Sequence, residues 1–284
     1  MSLLGFYRIM RPANSVVAGL AAALAYLIAT GSLVPGVIIP VIVVILVTGA
    51  GNTINDYFDL PIDRINRPGR PLPSGQITPG QAFWFSALLF IAGIGISLLT
   101  TPICIFFAMV NSVLLVMYAA KLKTTPFMGN VAVAYLSGSI FLFGGGFAGL
   151  AGLFNNIVIA VMTFLAMVAR EILKDAEDVP GDLIKGAKTL PIIYGTRKAT
   201  IIALIFSFGA VAISFYPYYR WGTWYLTGIV PVDLIILYGA VRSARCREPE
   251  CIARSRATDI IKYGMFASLI VFMMSAIFLT VPGI

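Results

Sequence analysis

The sequence predicts an all-α membrane protein in which nine transmembrane helices form a single bundle. Hydrophobic residues make up 59% of the 284 positions and charged residues only 11%, whereas soluble domains carry about 25% charged residues. Apolar stretches of roughly 20 residues, the length that crosses a bilayer, recur along the chain. Lys and Arg gather in alternate connecting segments, which is the pattern of cytoplasmic loops.

The apolar stretches define nine predicted spans in chain order, and we treat residues 1–284 as one membrane domain. The spans are residues 14–31, 34–55, 79–99, 101–120, 128–150, 155–174, 198–217, 222–241 and 259–281. Each is long enough to cross the hydrocarbon core.

The basic residues predict which side of the membrane each loop occupies. With the N-terminus in the cytoplasm, the inner segments are 1–13, 56–78, 121–127, 175–197 and 242–258. Of the 20 Lys and Arg residues, only Arg220 then lies in an outer segment. This strong bias places the C-terminus outside, because the number of spans is odd. The net charge of +8 is therefore attributed to membrane topology rather than to nucleic-acid binding.

Two predicted cytoplasmic segments repeat one acidic pattern with identical spacing. The first contains Asp56, Asp59 and Asp63, and the second contains Asp175, Asp178 and Asp182. Four predicted helices separate the two segments, so the helices that carry them run in the same direction. The sequence therefore predicts a parallel internal repeat, which in membrane proteins frames a central site.

The spacing predicts how these carboxylates are presented. Asn52, Asp56, Asp59 and Asp63 occupy positions i, i+4, i+7 and i+11 and would project from one helix face. Glu171 followed by the second triad reproduces this spacing. Pro61 and Pro180, each two residues before the third Asp, are expected to end or kink the helix. The third carboxylate of each set would then lie in the following loop.

The donor types predict a hard metal ion. Carboxylate and amide oxygens suit Mg²⁺ or Mn²⁺, and the chain has no His for a zinc site or a Ser–His or Cys–His pair. The three cysteines indicate no disulfide framework. Mg²⁺ usually combines one or two carboxylates with substrate phosphates. Basic residues available to a phosphate follow both acidic segments or the fourth span: Arg64, Arg67, Arg70, Lys121, Lys123, Lys185 and Lys188. The pattern favours a diphosphate carried on an apolar tail.

Specific sequence motifs support a resemblance to a known family. Asn55-Asp56-Tyr57-Phe58-Asp59, followed by Asp63 and Asn66-Arg67-Pro68-Gly69-Arg70-Pro71-Leu72-Pro73, resembles the first signature of the UbiA-type intramembrane prenyltransferases. The second acidic triad with Gly186 and Thr189-Leu190-Pro191 resembles the second signature. Tyr118 with Lys121 and Lys123 is similar to the family's Tyr–Lys element. The resemblance runs from about residue 5 to 282. The residues around the two motifs are most similar to those of the branch that builds archaeal ether lipids.

The resemblance implies roles for individual residues. Metal and diphosphate ligation falls on Asn52, Asn55, Asp56, Asp59, Asp63, Asp175, Asp178 and Asp182, with Mg²⁺ as the cofactor. Catalytic roles are implied for Asp59, Asp63, Asp178, Asp182 and Tyr118. Phosphate contacts are implied for Arg67, Arg70, Lys121, Lys123 and Lys188.

The resemblance also implies the substrates. A geranylgeranyl group would move from geranylgeranyl diphosphate to the free hydroxyl of geranylgeranylglyceryl phosphate, at the cytoplasmic side of the cell membrane. Transfer to an aromatic acceptor is the alternative within this class. Transport of cations or phosphorylated solutes is a remote alternative, since transport predicts ionisable residues near the midplane, and only Asp233 is central.

Other polar or small residues in the spans are interpreted as packing features. Gly144, Gly145 and Gly146 favour close helix packing over space for a prenyl chain. Asn111 and Asn130 favour interhelical hydrogen bonds, and Asp233 is left outside the site.

Overall fold

The computed structural model describes residues 2–184 and 186–280, which are organised in helices. In chain order these are α1 (Leu3–Ile9), α2 (Pro12–Thr30), α3 (Ile38–Asn66), α4 (Pro79–Ser97), α5 (Pro102–Ala120), α6 (Met128–Gly146), α7 (Leu150–Glu177), α8 (Val179–Ile184), α9 (Leu190–Tyr194), α10 (Thr196–Ser214), α11 (Tyr218–Ala244), α12 (Pro249–Ser255) and α13 (Ala257–Thr280). Within this part of the chain, nine helices are long and apolar enough to cross a membrane: α2 to α7, α10, α11 and α13.

The nine predicted spans are confirmed among the described residues, and one of them extends well beyond its predicted end. The second predicted span stops at residue 55, whereas α3 continues to Asn66; α7 and α11 end three residues after the predicted positions, at Glu177 and Ala244. The eighth predicted span begins at residue 222. Gly222 is where α11 is interrupted, with φ 64° and ψ −156°, a conformation that glycine adopts without a Cβ penalty.

The described residues form two compact units, one comprising the chain up to Lys121 with Ile140–Phe154, the other comprising Leu122–Ser139 with the chain from Asn155. Close helix packing in the first unit depends on small residues. A Cβ added to Gly144 would lie 2.2 Å from the carbonyl oxygen of Ala22, and one added to Gly146 would lie 2.5 Å from a methyl carbon of Ile103. The packing interpretation of these glycines is therefore confirmed.

A buried polar network ties α10 to α11 in the second unit. The Ser214 hydroxyl donates to Asp233 at 2.6 Å, and the Tyr225 hydroxyl donates to the carbonyl of Ser214 at 2.7 Å. All three residues are buried. Asp233 is thus satisfied by a neighbouring helix, which agrees with its exclusion from the site, because buried polar groups need hydrogen-bond partners.

Each long loop after an acidic segment is anchored by one leucine. Leu72 is buried with Ile9, Ile77 and Ala82 in the first unit. Leu190 is buried in the core of the second unit, against residues of α7, α10 and α13. In both cases the leucine lies two positions after a cation, Arg70 or Lys188. Burial of the leucine therefore fixes the position of the backbone from which the cationic side chain extends.

The expectation that the cysteines form no disulfide is wrong for one pair. Cys246 and Cys251 are joined by a disulfide. The turn into α12 folds this segment back on itself, and Cys246 is buried with Ala176 and Ile252. The segment between α11 and α12 therefore packs against the last turns of α7.

Candidate active site

The first acidic segment lies entirely on α3. Asp56 and Asp63 are buried, while Asn52, Asn55 and Asp59 are half-buried. The helix continues through Pro61 to Asn66, so the expected end or loop position of Asp63 is wrong. Tertiary contacts outweigh the local cost of proline, because Leu60 packs beside the Ile9 cluster and Asp63 forms an ion pair.

Two guanidinium groups hold the buried carboxylates of this segment. Arg70 Nη1 lies 2.5 Å from Asp63 Oδ2 and 3.2 Å from Asp56 Oδ1. Arg11 Nη2 lies 2.5 Å from the same Asp56 oxygen. The two carboxylates are only 4% and 7% exposed, and buried charges require such pairing. Arg70, which the sequence predicts to bind phosphate, is therefore in direct contact with Asp56 and Asp63, which it predicts to bind the metal.

The two amides of the segment make separate contacts. Asn52 Nδ2 donates to the carbonyl of Met10 at 3.0 Å. Asn55 Nδ2 donates to Asp59 Oδ2 at 2.9 Å, one helical turn further along. The amide of Asn55 thereby orients the partly exposed carboxylate of Asp59, whereas Asn52 connects α3 to the chain segment between α1 and α2.

The second acidic segment does not lie on one continuous helix. Asp175 is on α7, which ends at Glu177; Asp178 follows, and Asp182 is on the short helix α8. Pro180 lies in the first turn of α8, where the missing N–H costs no helical hydrogen bond. The expected break of the helix near Pro180 is therefore confirmed, whereas the shared helix face of the four acidic positions and the loop position of Asp182 are wrong.

Asn130 and Glu177 connect the second segment to its surroundings. Asn130 Nδ2 donates to Asp175 Oδ2 at 2.7 Å, and Asn130 is itself buried. The Thr258 hydroxyl donates to Glu177 Oε1 at 2.5 Å. Glu171, at the position matching Asn52, pairs with Arg170 at 2.5 Å and with Lys174 at 3.8 Å. Asp178 is exposed and Asp182 half-buried.

The predicted phosphate ligands differ in their placement. The backbone N–H of Lys188 donates to the carbonyl of Thr124 at 3.2 Å, which brings Lys188 to the turn that carries Lys123. Tyr118 is half-buried near the end of α5, and exposed Lys121 follows that helix. Arg67 is exposed and, among the described residues, enters no ion pair with the acidic segments. Lys185 lies outside the described residues.

The donor chemistry of both segments fits Mg²⁺. Carboxylate and amide oxygens are its usual protein ligands, and one or two carboxylates per ion suffice when substrate phosphates complete the shell. Among the described residues, no group of three His, Cys, Asp or Glu side chains forms a metal site by itself.

Two contacts of the acidic segments were missed by sequence reasoning. Arg11 belongs to the predicted inner segment 1–13 and counts there only toward the bias of basic residues, because its sequence position gives no sign that it reaches Asp56. Asn130 was correctly predicted to make a hydrogen bond between helices, from α6 to α7, but its acceptor, Asp175, makes it part of the candidate site. The sequence signal was a polar amide near the start of a predicted apolar span.

These features define a multi-pass helical membrane protein with two carboxylate segments that have cationic neighbours. The model of one family, described as the UbiA prenyltransferase family, matches residues 16–274. The chain belongs to the UbiA prenyltransferase family.

Similar proteins extend over the whole chain. A digeranylgeranylglyceryl phosphate synthase from Methanoregula boonei is 56% identical over 98% of this chain and 100% of its own length. The protein of that name from Methanoculleus marisnigri is 54% identical, with the same coverage.

Solved structures show the same fold. One, from work on digeranylgeranylglyceryl phosphate synthase in membranes, has a TM-score of 0.84 at 34% identity and covers 97% of this chain and 98% of its own. A UbiA homolog from Archaeoglobus fulgidus, bound to GPP and Mg²⁺, has a TM-score of 0.70 at 17% identity, with coverage of 93% and 99%.

Proposed function

We propose that this chain transfers a geranylgeranyl group from geranylgeranyl diphosphate to the free hydroxyl of geranylgeranylglyceryl phosphate, giving digeranylgeranylglyceryl phosphate. The observation that carries this proposal is full-length identity of 56% to a protein named for that product. The two acidic segments and their cations support it, because they offer the oxygen and nitrogen groups that a metal-bound diphosphate requires.

We further propose that both acidic segments serve the diphosphate of the donor, with Mg²⁺ as the cofactor. Bound Mg²⁺ neutralises negative charge that develops on a leaving phosphate group. The ligand positions are Asn52, Asn55, Asp56, Asp59, Asp63, Asp175, Asp178 and Asp182. Asn55 orients Asp59, and Asn130 orients Asp175, so these two carboxylates are held before any ligand arrives.

The cationic side chains then bind phosphate oxygens directly. Arg70 already faces Asp56 and Asp63, while Lys188 lies beside the turn of Lys123. Arg67 and Lys121 are exposed and able to reach a phosphate from solvent. Departure of diphosphate leaves an allylic cation at C1, which the acceptor hydroxyl attacks. Asp59 or Asp178 accepts the hydroxyl proton, and the half-buried Tyr118 ring stabilises the cation through its π face.

The topology proposal follows from the basic loops. We propose that the N-terminus and both acidic segments lie on the cytoplasmic side, with the C-terminus outside, and that residues 1–284 form one domain built on a parallel repeat. The distribution of Lys and Arg supports this orientation. Cysteine labelling at introduced loop positions in intact cells tests it: labelling of a cysteine at the exposed position 69 by an impermeant reagent would contradict the orientation.

Product analysis tests the reaction. Purified protein with Mg²⁺ and geranylgeranyl diphosphate should form digeranylgeranylglyceryl phosphate only when geranylgeranylglyceryl phosphate is present. Product from an aromatic acid instead would make the aromatic-acceptor alternative correct. Asp59→Ala and Asp178→Ala should each reduce turnover by at least about a hundredfold, while Asp259→Ala, outside both segments, should not. Wild-type rates in the first two variants would remove these carboxylates from the site.

A further inference from the structure

Arg11 occupies a sharp bend between α1 and α2. Its backbone has φ 51° and ψ 65°, the left-handed conformation. This region is uncommon for residues other than glycine, and it persists where surrounding contacts hold it. Such positions concentrate at functional sites, so the contacts that fix Arg11 bear on what the side chain does.

Side chains from α2 and α3 hold this bend in place. The carbonyl of Met10 accepts hydrogen bonds from Asn52 Nδ2 at 3.0 Å and from the Ser15 hydroxyl at 2.8 Å. Ile9, immediately before it, is fully buried. The bend is therefore attached to the helix that carries the first acidic segment, and Asn52 makes the attachment.

The charges around Arg11 are balanced without a ligand. The guanidinium groups of Arg11 and Arg70 face the carboxylates of Asp56 and Asp63, two positive charges against two negative ones. The Arg11 side chain is 33% exposed, whereas Asp56 is 4% exposed. Arg11 thus pairs through one nitrogen and keeps part of its guanidinium accessible.

From this geometry we propose that Arg11 is a phosphate ligand of the reaction. Once Asp56 serves a metal ion, its negative charge is shared and the Arg11 guanidinium is left to pair with another anion. A guanidinium has five N–H donors in a fork that matches phosphate oxygens. The phosphate belongs to the donor or to the acceptor of the proposed function, on which this inference rests.

Binding and kinetic measurements test the role of Arg11. Arg11→Gln removes the charge, Arg11→Lys keeps it but removes the fork, and Arg8→Gln is the matched control, because Arg8 is exposed one residue before buried Ile9. Calorimetry in detergent measures binding of two probes with Mg²⁺ present: inorganic diphosphate and glycerol phosphate. Steady-state kinetics then give KM for each substrate and the Mg²⁺ concentration for half-maximal rate.

We expect Arg11→Gln to lower the binding affinity for one of the two probes by about tenfold or more, which is the effect of losing one hydrogen bond to a charged group. KM of the matching substrate should rise by a similar factor, while the Mg²⁺ requirement stays constant. Weaker diphosphate binding assigns Arg11 to the donor, and weaker glycerol phosphate binding assigns it to the acceptor. Arg8→Gln should match the wild type, and Arg11→Lys should lie between.

Unchanged binding of both probes would overturn the proposal. A shift only in the Mg²⁺ requirement would also overturn it, since Arg11 would then merely hold Asp56. If Arg11→Gln does not fold, the proposal requires that the Arg11→Lys variant bind one of the two probes more weakly than the wild type. Probe binding needs no prenyl transfer. A wild-type protein that binds diphosphate without forming product would therefore refute the proposed function and leave the inference about Arg11 standing.

Discussion

Replacing Arg70 with Met should destabilise the protein because it removes the ion-pair partner of Asp63. Arg70 Nη1 lies 2.5 Å from Asp63 and 3.2 Å from Asp56, and both carboxylates are buried. Breaking a buried pair on one side costs about 3–5 kcal/mol. Arg11 still compensates Asp56, so we expect the lower value, about 3 kcal/mol.

A double-mutant cycle isolates the ion pair from other effects. Asp63→Asn removes the charge that Arg70 neutralises, so Arg70→Met should cost about 2 kcal/mol less in that background. Thermal unfolding in detergent without Mg²⁺ measures each variant, and 3 kcal/mol corresponds to roughly 6–12 °C. Arg64→Met is the control, because Arg64 follows Asp63 on α3 but its side chain is exposed.

Additive effects in this cycle would refute the reasoning. If the double variant loses the sum of the two single losses, the stability of this region does not depend on the Arg70–Asp63 contact. An Arg64→Met variant as unstable as Arg70→Met would point to the same conclusion.

Two further substitutions test contacts in the two units. Asn130→Leu removes the donor to Asp175 and should lower kcat by about tenfold, the effect of one hydrogen bond to a charged group; an unchanged kcat would show that Asp175 needs no orientation. Gly144→Ala places a Cβ 2.2 Å from the carbonyl oxygen of Ala22 and should cost about 1–3 kcal/mol in unfolding free energy. Gly95→Ala, whose Cβ meets nothing within 4 Å, should cost nothing, and equal losses at both positions would contradict the packing argument.

Much of the fold could be predicted from the sequence because the solvent of this protein is a bilayer. Apolar length and the distribution of Lys and Arg report directly on spans, and all nine spans are present among the described residues. The ends of α3 and α7 could not be predicted in this way. They extend beyond the apolar stretches, and their polar final turns are stabilised by side chains outside each helix. Arg70 is seven residues from Asp63, whereas Thr258 is 81 residues from Glu177.

In the candidate site, too, some features could be predicted from the sequence and others depend on the folded chain. The repeated spacing identified the carboxylates, since spacing is a local property that a sequence displays. Pro61 was misjudged because it remains inside a helix that tertiary contacts support, whereas the expected break of the helix near Pro180 is present and only the loop position of Asp182 was wrong. Arg11 lies 45 residues from Asp56, and only the folded chain shows that its side chain reaches that carboxylate.

The length of α3 has a consequence for the lipid surroundings. This helix has 29 residues, about 43 Å at 1.5 Å per residue, compared with roughly 30 Å for the hydrocarbon core of a bilayer. Asp56, Asp59 and Asp63 occupy its last three turns, so a rigid rod sets their height relative to the membrane surface. A thicker bilayer would draw these carboxylates toward the hydrocarbon chains, and a thinner one would lift them into water, at a modest cost per ångström. The thickness of the hydrocarbon core therefore bears on the height of all three carboxylates at once, because a single helix carries them.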